Sequence, residues 1–182
     1  SSDLISGCGG EPEETPEVYI TEGLKVRPLK DFKYERTQTR IERGKYLTES
    51  VLQCFACHSE RDWTQPGAPI IESKKGGGAI TELETNYRMV APNITPDEET
   101  GAGKWTDDMF ARAIREGIGH DGRALGGTMW YWALSNLTDE DLASVIVYLR
   151  TIPAVKNKLP KRKVSLELQK SYVTGPVPIY EP

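Results

Sequence analysis

Five consecutive residues, Cys54-Phe55-Ala56-Cys57-His58, limit what this chain can become. Two cysteines three apart share one helical turn, where each thiol can bond one vinyl group of a porphyrin, and the histidine that follows is placed to ligate the iron from the same side. The string is the attachment signal of c-type haem. Two other chemistries use such residues. A thioredoxin-like redox pair needs a βαβ pattern around it, and a tetrahedral zinc site needs two further ligands at short spacing. Neither is present, since the remaining cysteine is Cys8 and the remaining histidine is His120. A surface C-x-x-C without a cofactor is the last alternative.

Composition narrows the rest. At 182 residues and 37% hydrophobic content the chain fits one domain with tails, whose apolar core a haem would enlarge. One attachment string implies one haem. The 23 basic against 27 acidic side chains, net −4, argue against nucleic acid and give no basic membrane patch. Haem propionates add negative charge, so an electrostatically guided partner would present a basic surface. No apolar run is long enough to span a bilayer and no complete signal peptide begins the chain, so the expectation is a soluble mature form or a trimmed piece of a longer chain.

Residues 1–38 read as an extension: a disordered lead-in rich in Gly, Glu and Pro to Glu17, then an extended segment with apolar Val18, Ile20, Val26 and Leu29. Leu4-Ile5-Ser6-Gly7-Cys8 resembles the end of a bacterial lipoprotein signal, with Cys8 the lipidated residue and Ser1 to Gly7 a precursor remnant. The competing reading is a lone thiol in a tail, and the mass of the natively expressed protein separates the two. Residues 156–182 are expected to form a second extension, in which Val164, Leu166 and Leu168 alternate with polar residues, a pattern that suits a small β-pairing with the first extension.

Between them, residues 39–155 carry helical periodicity. Ile41, Gly44, Leu47, Val51 and Leu52 predict a helix from Thr39 to Cys54 that ends on the attachment string. Gly44, costly inside a helix, marks a close helix contact. Its expected partner starts at the capping box Thr138-Asp139-Glu140-Asp141 and carries Leu142, Val145, Ile146 and Leu149 before Pro153. A further helix starts at Thr106 as N-cap, turns Met109, Phe110, Ala113 and Ile114 inward, and stops at Gly117. Gly76-Gly77-Gly78 lacks the context of a phosphate cradle and reads as a flexible connector.

Several strings in this region carry a family resemblance: Arg43-Gly44-Lys45-Tyr46-Leu47, the attachment string, Asn93-Ile94-Thr95-Pro96-Asp97, Lys104-Trp105-Thr106-Asp107, Asp121-Gly122-Arg123, Met129-Trp130-Tyr131 and Leu137-Thr138-Asp139-Glu140-Asp141. Together they resemble class I cytochromes c. The branch resembled is the cytochrome domains of membrane-bound alcohol and gluconate dehydrogenases and the single-haem subunits of bacterial respiratory complexes. The dehydrogenase subunits carry several haem domains where this chain has one, and their Met-Pro-Tyr reads Met129-Trp130-Tyr131 here.

The resemblance implies an all-α cytochrome c fold with crossed first and last helices around one covalent haem. It places Met129 as the sixth iron ligand opposite His58, ahead of Met109, Met89 and His120. The other ring N–H of His58 is expected to go to a backbone carbonyl in the Pro66 to Pro69 stretch, where the resemblance favours Pro69. Trp105, Trp130, Tyr131, Trp132, Tyr87, Arg88 and Arg123 are candidates to pack on the ring or pair with propionates, or else are ordinary core and surface. With both axial positions filled the expected function is one-electron transfer, as a carrier or subunit of a membrane-associated respiratory chain at the periplasmic face of the membrane, with redox proteins as partners. The alternative is a haem enzyme or gas sensor with an open or displaceable sixth ligand.

Overall fold

The computed structural model describes residues 26–84, 87–125 and 127–160, without the side chains of 82–88 and 127. Helix α1 (Gln38–Tyr46) starts at Thr37, whose hydroxyl accepts from the Arg40 amide at 3.3 Å. The last helix, α5 (Asp139–Leu149), starts the same way at Thr138, which accepts from the Asp141 amide at 3.1 Å. Each cap satisfies one of the amides a helix start leaves without a partner.

These two helices cross at Gly44, as its mid-helix position predicts. A Cβ built there would stand 2.6 Å from both the Ser144 carbonyl carbon and the Tyr148 Cβ, so only hydrogen fits between the backbones. From Leu142 to Leu149 α5 is buried on every side, with Ile146 at 0% exposure. At the rim, Arg40 pairs with Glu140 at 2.7 Å and Arg43 with Asp141 at 2.8 Å. Such exposed pairs contribute at most about 1 kcal/mol each, so packing and not charge holds the crossing.

The run expected as one helix to Cys54 is not continuous. After Tyr46 it widens into a π turn, Leu47–Val51, closed by a bond from the Leu52 amide to the Leu47 carbonyl at 2.7 Å. Gln53 then takes φ +53, and its side-chain amide donates to the carbonyls of Glu49 (2.9 Å) and Ser50 (3.0 Å). With those carbonyls taken, the chain restarts as the short helix α2 (Cys54–Cys57). The extra residue in the π turn re-aims everything after it, the use to which such turns are often put near functional sites.

The all-α expectation needs correction, because the described chain is helix-rich with a small two-stranded sheet. Strands β1 (Ala79–Glu84) and β2 (Tyr87–Ala91) form an antiparallel hairpin with Ala79 opposite Ala91 and Thr81 opposite Met89. The β-branched Ile80, Thr81 and Val90 suit it, but so short a run has no periodicity that separates strand from loop. The β-pairing expected between the two extensions falls largely on Val18, Ile20 and Val164 to Leu168, outside the described residues. Val26 and Leu29, which are described, lie in no strand.

Helix α3 (Asp107–Glu116) has the expected ends: Thr106 accepts from the Met109 amide at 3.2 Å, and Gly117 closes it with φ +68. Its first two residues anchor the preceding segment. Arg27 forks onto Asp108 at 2.7 and 2.8 Å, the Lys30 amide donates to Asp108 and the Tyr34 amide to Asp107, both at 2.7 Å. Arg150, at the end of α5, reaches Asp107 from the other side at 2.6 Å. Asp107 and Asp108 are 4% and 1% exposed, and buried carboxylates need such partners. Residues 27–34 are therefore fastened to the helical core.

Replacing Gly44 by alanine gains about 1 kcal/mol in helix propensity. Forcing the two backbones apart costs about 1 to 3 kcal/mol. The expected result is a net loss of stability in denaturant unfolding of Gly44→Ala, and a stability gain would show that the helices do not touch there.

Candidate cofactor site

The attachment string lies where the π turn delivers it. Cys54 is half-buried and Cys57 exposed, and neither is in a disulfide. Burial pushes the Cys54 thiol up to about 12, which keeps it protonated at neutral pH. Phe55 between them is 2% exposed and anchors the turn in the core, with the Lys75 ammonium 5.0 Å above its ring. His58 follows at the helix end, its amide bonded to the Cys54 carbonyl at 3.0 Å.

The imidazole of His58 is buried, and its Nδ1 lies 2.7 Å from the Pro92 carbonyl oxygen. A carbonyl can only accept, so Nδ1 carries the proton and donates. Burial lowers the ring's pKa against the smaller upward pull of that carbonyl, which leaves a neutral ring at neutral pH. The lone pair then sits on Nε2, which has no hydrogen-bond partner among the described residues. A neutral imidazole oriented through one nitrogen and free at the other is the form that binds a metal.

The acceptor is Pro92 and not Pro69, which corrects the expectation. The loop from Arg61 to Ile70 closes on itself through a bridge between those two residues, and the Pro69 carbonyl accepts from the Asp62 amide at 2.9 Å. The missed signal was adjacent: Pro92 directly precedes the Asn93-Ile94-Thr95-Pro96-Asp97 string. Gly76-Gly77-Gly78 is also corrected, from flexible connector to tight packing. All three are buried, and a Cβ would stand 2.9 Å from Ile152 at Gly76 and 2.7 Å from Val155 at Gly77. The Gly78 amide donates to the His58 carbonyl at 2.9 Å, which makes the run part of the histidine's support.

Met129 is half-buried at the end of a 3₁₀ turn (Gly127–Met129), and both it and Cys54 pack against the main core cluster. Trp130, next in the chain, takes φ +54 and is 66% exposed. Three non-glycine residues among those described have positive φ: Gln53, Ala68 and Trp130. Two of the three adjoin Cys54 and Met129, and strain of about 1 to 3 kcal/mol per residue tends to collect at functional sites. The turn is also held from below: Gly117 packs so closely on the Tyr131 ring that a Cβ would stand 2.6 Å away. Met109 and Met89 are half-buried on α3 and β2. His120 is exposed and stacks on Trp105 at 4.7 Å, and Arg123 pairs with Asp121 at 3.0 Å. Trp132 is half-exposed, and the side chains of Tyr87 and Arg88 are not among those described.

Two unoxidised thiols one turn apart and a neutral, buried imidazole with a free nitrogen fit a covalently held haem. That donor set on a helix-rich domain with crossed first and last helices defines the class of c-type cytochrome domains. Curated relatives carry matching names. The fructose dehydrogenase cytochrome subunit of Gluconobacter japonicus is 34% identical over 79% of this chain and 29% of its own length. The cytochrome c subunit of the quinone alcohol dehydrogenase of Gluconobacter oxydans (strain 621H) is 32% identical over 66% of this chain and 23% of its own length. The gluconate 2-dehydrogenase cytochrome c subunit of Pantoea cypripedii is 34% identical over 59% of this chain and 22% of its own length. The chain thus resembles the cytochrome c domains of dehydrogenase subunits, while spanning less than a third of the length of these three. No protein-family profile matches it. No helix among the described residues is long and apolar enough to cross a membrane.

The π turn that aims the site is itself pinned by charge. Burial works to raise the Glu49 carboxyl, but bonds from Lys45, Lys75 (2.6 Å) and the Tyr148 hydroxyl (2.5 Å) outweigh it and hold the group at about 2, below its ordinary 4.5. A depressed carboxyl stabilises the fold above its unfolded value and stops doing so as pH falls through its folded one. Glu49→Gln should therefore melt below the wild type near neutral pH, and the gap should close between about pH 4.5 and pH 2. A gap in melting temperature that stays constant across that range would show that Glu49 is not clamped in this way.

Proposed function

We propose that the chain is a one-electron carrier with a single haem c, joined through Cys54 and Cys57 and ligated by His58 and Met129. It works as the cytochrome component of a membrane-associated dehydrogenase or respiratory assembly on the periplasmic side. The observation that carries the reading is the neutral His58 imidazole at the end of the C-x-x-C-H turn, fixed through Nδ1 by Pro92 with Nε2 free. The bound group supplies a metal that cycles between two charge states. The chain's own residues do the rest. Cys54 and Cys57 would hold the porphyrin covalently, His58 would donate from its buried position, and the Met129 thioether, next to the positive-φ Trp130, would supply the second ligand. A histidine and methionine pair raises the potential relative to other common ligand sets, which suits acceptance of electrons from a dehydrogenase.

The relatives' names place cytochrome c subunits beside fructose, alcohol and gluconate dehydrogenases, which supports that partnership. The periplasmic location follows from where c-type attachment takes place, on the outer side of the cytoplasmic membrane.

The test is spectroscopic. Haem should stay with the chain on a denaturing gel and be lost in Cys54→Ala combined with Cys57→Ala. The oxidised protein should show the weak far-red sulfur-to-iron band, Met129→His should abolish it, and the reduced wild type should ignore carbon monoxide. Rapid carbon monoxide binding would overturn the filled sixth position and favour an enzyme or sensor.

A further inference from the structure

Pro92 has no amide hydrogen to tie it to a neighbouring strand, so something other than sheet bonding must hold its carbonyl against His58. The next residue does. Asn93 is 3% exposed, and its side-chain amide is used at both ends. The oxygen accepts from the Thr95 amide at 3.0 Å and the Thr95 hydroxyl at 2.7 Å. The nitrogen donates to the Val155 carbonyl at 2.7 Å and the Thr100 hydroxyl at 3.3 Å. Val155 returns the bond, its amide donating to the Thr95 hydroxyl at 3.1 Å. Two residues on, Asn157 donates from its backbone to Thr100 and from its side chain to the Gly77 carbonyl, both at 3.0 Å. The segment after α5 is thus stitched to both chain stretches that touch His58, at Pro92 and at Gly76 to Gly78.

We propose that Asn93 and Thr95 are positioning residues: they clamp the segment after α5 onto the exit of β2, and through the Pro92 carbonyl they set the orientation and electron donation of the His58 imidazole. This rests on His58 being an iron ligand, as proposed above. A carbonyl that accepts from Nδ1 makes the ring a better donor and favours the oxidised metal, so loosening the clamp raises the reduction potential.

The experiment uses the full chain matured with haem and compares wild type with Asn93→Ala, Thr95→Val, Thr95→Ser and the milder Asn157→Ala. Two quantities are read: the midpoint potential by spectroelectrochemistry, and the solvent exchange of the His58 Nδ1 proton by NMR in the reduced state. Asn93→Ala and Thr95→Val should raise the potential and speed that exchange about tenfold, since local opening governs it. Thr95→Ser, which keeps the hydroxyl, should restore both, Asn157→Ala should shift both less in the same direction, and the exposed Glu98→Ala should change neither. If Asn93→Ala fails to mature, Thr95→Val and Asn157→Ala carry the test. Haem-loaded variants that lose thermal stability yet keep the wild-type potential and exchange would overturn the clamp alone. A wild type without covalent haem would instead overturn the reading of the site.

Discussion

The architecture depends on one contact between backbones, Gly44 of α1 against Ser144 and Tyr148 of α5. Side chains normally keep helix axes about 8 to 10 Å apart, and a glycine lets two helices settle closer. The core is built outward from that approach. Leu47, one turn beyond Gly44, is 4% exposed, and Phe55 inside the attachment string packs into the same cluster as Leu142, Val145 and Ile146. A wider crossing would move the π turn and the cysteines with it, because Tyr148 holds Glu49 from α5 while Gln53 grips the turn from the other end.

The histidine is supported by stretches far apart in the chain. Its side chain leans on Pro92, its carbonyl receives Gly78, and both are braced by residues after α5. Such an arrangement resists local fraying, since freeing the whole residue means breaking its ring bond to Pro92 together with its backbone bonds to Cys54 and Gly78. It also keeps the ring neutral: buried away from water and offered only a carbonyl, it has little to gain from a second proton.

What could be read from the sequence was local. The C-x-x-C-H string, the caps at Thr106 and Thr138, the stop at Gly117 and the crossing at Gly44 each depend on a few neighbouring residues, and each is where the pattern puts it. What escaped depends on distant partners. Pro69 serves its own loop by accepting from the Asp62 amide, and Pro92, although it directly precedes the Asn93 string, lies far from His58 in the chain. The three glycines looked loose because glycine serves mobility and close packing alike, and only Ile152 and Val155 decide between them. The hairpin was too short to show alternation, and the π turn differs from a regular helix by a single residue. Residues 27–34 read as extension because their anchors, Asp107 and Asp108, lie far along the chain on α3.

That last attachment has a mechanical meaning. The Arg27 fork and the amides of Lys30 and Tyr34 stand in series between anything upstream of Val26 and the start of α1. These bonds to the start of α3 come before the Gly44 crossing and the turn that carries the cysteines along the chain. The fastening of residues 27–34 thus lies between the leading end of the chain and the C-x-x-C-H turn, as a cable clamp lies ahead of the joint behind it.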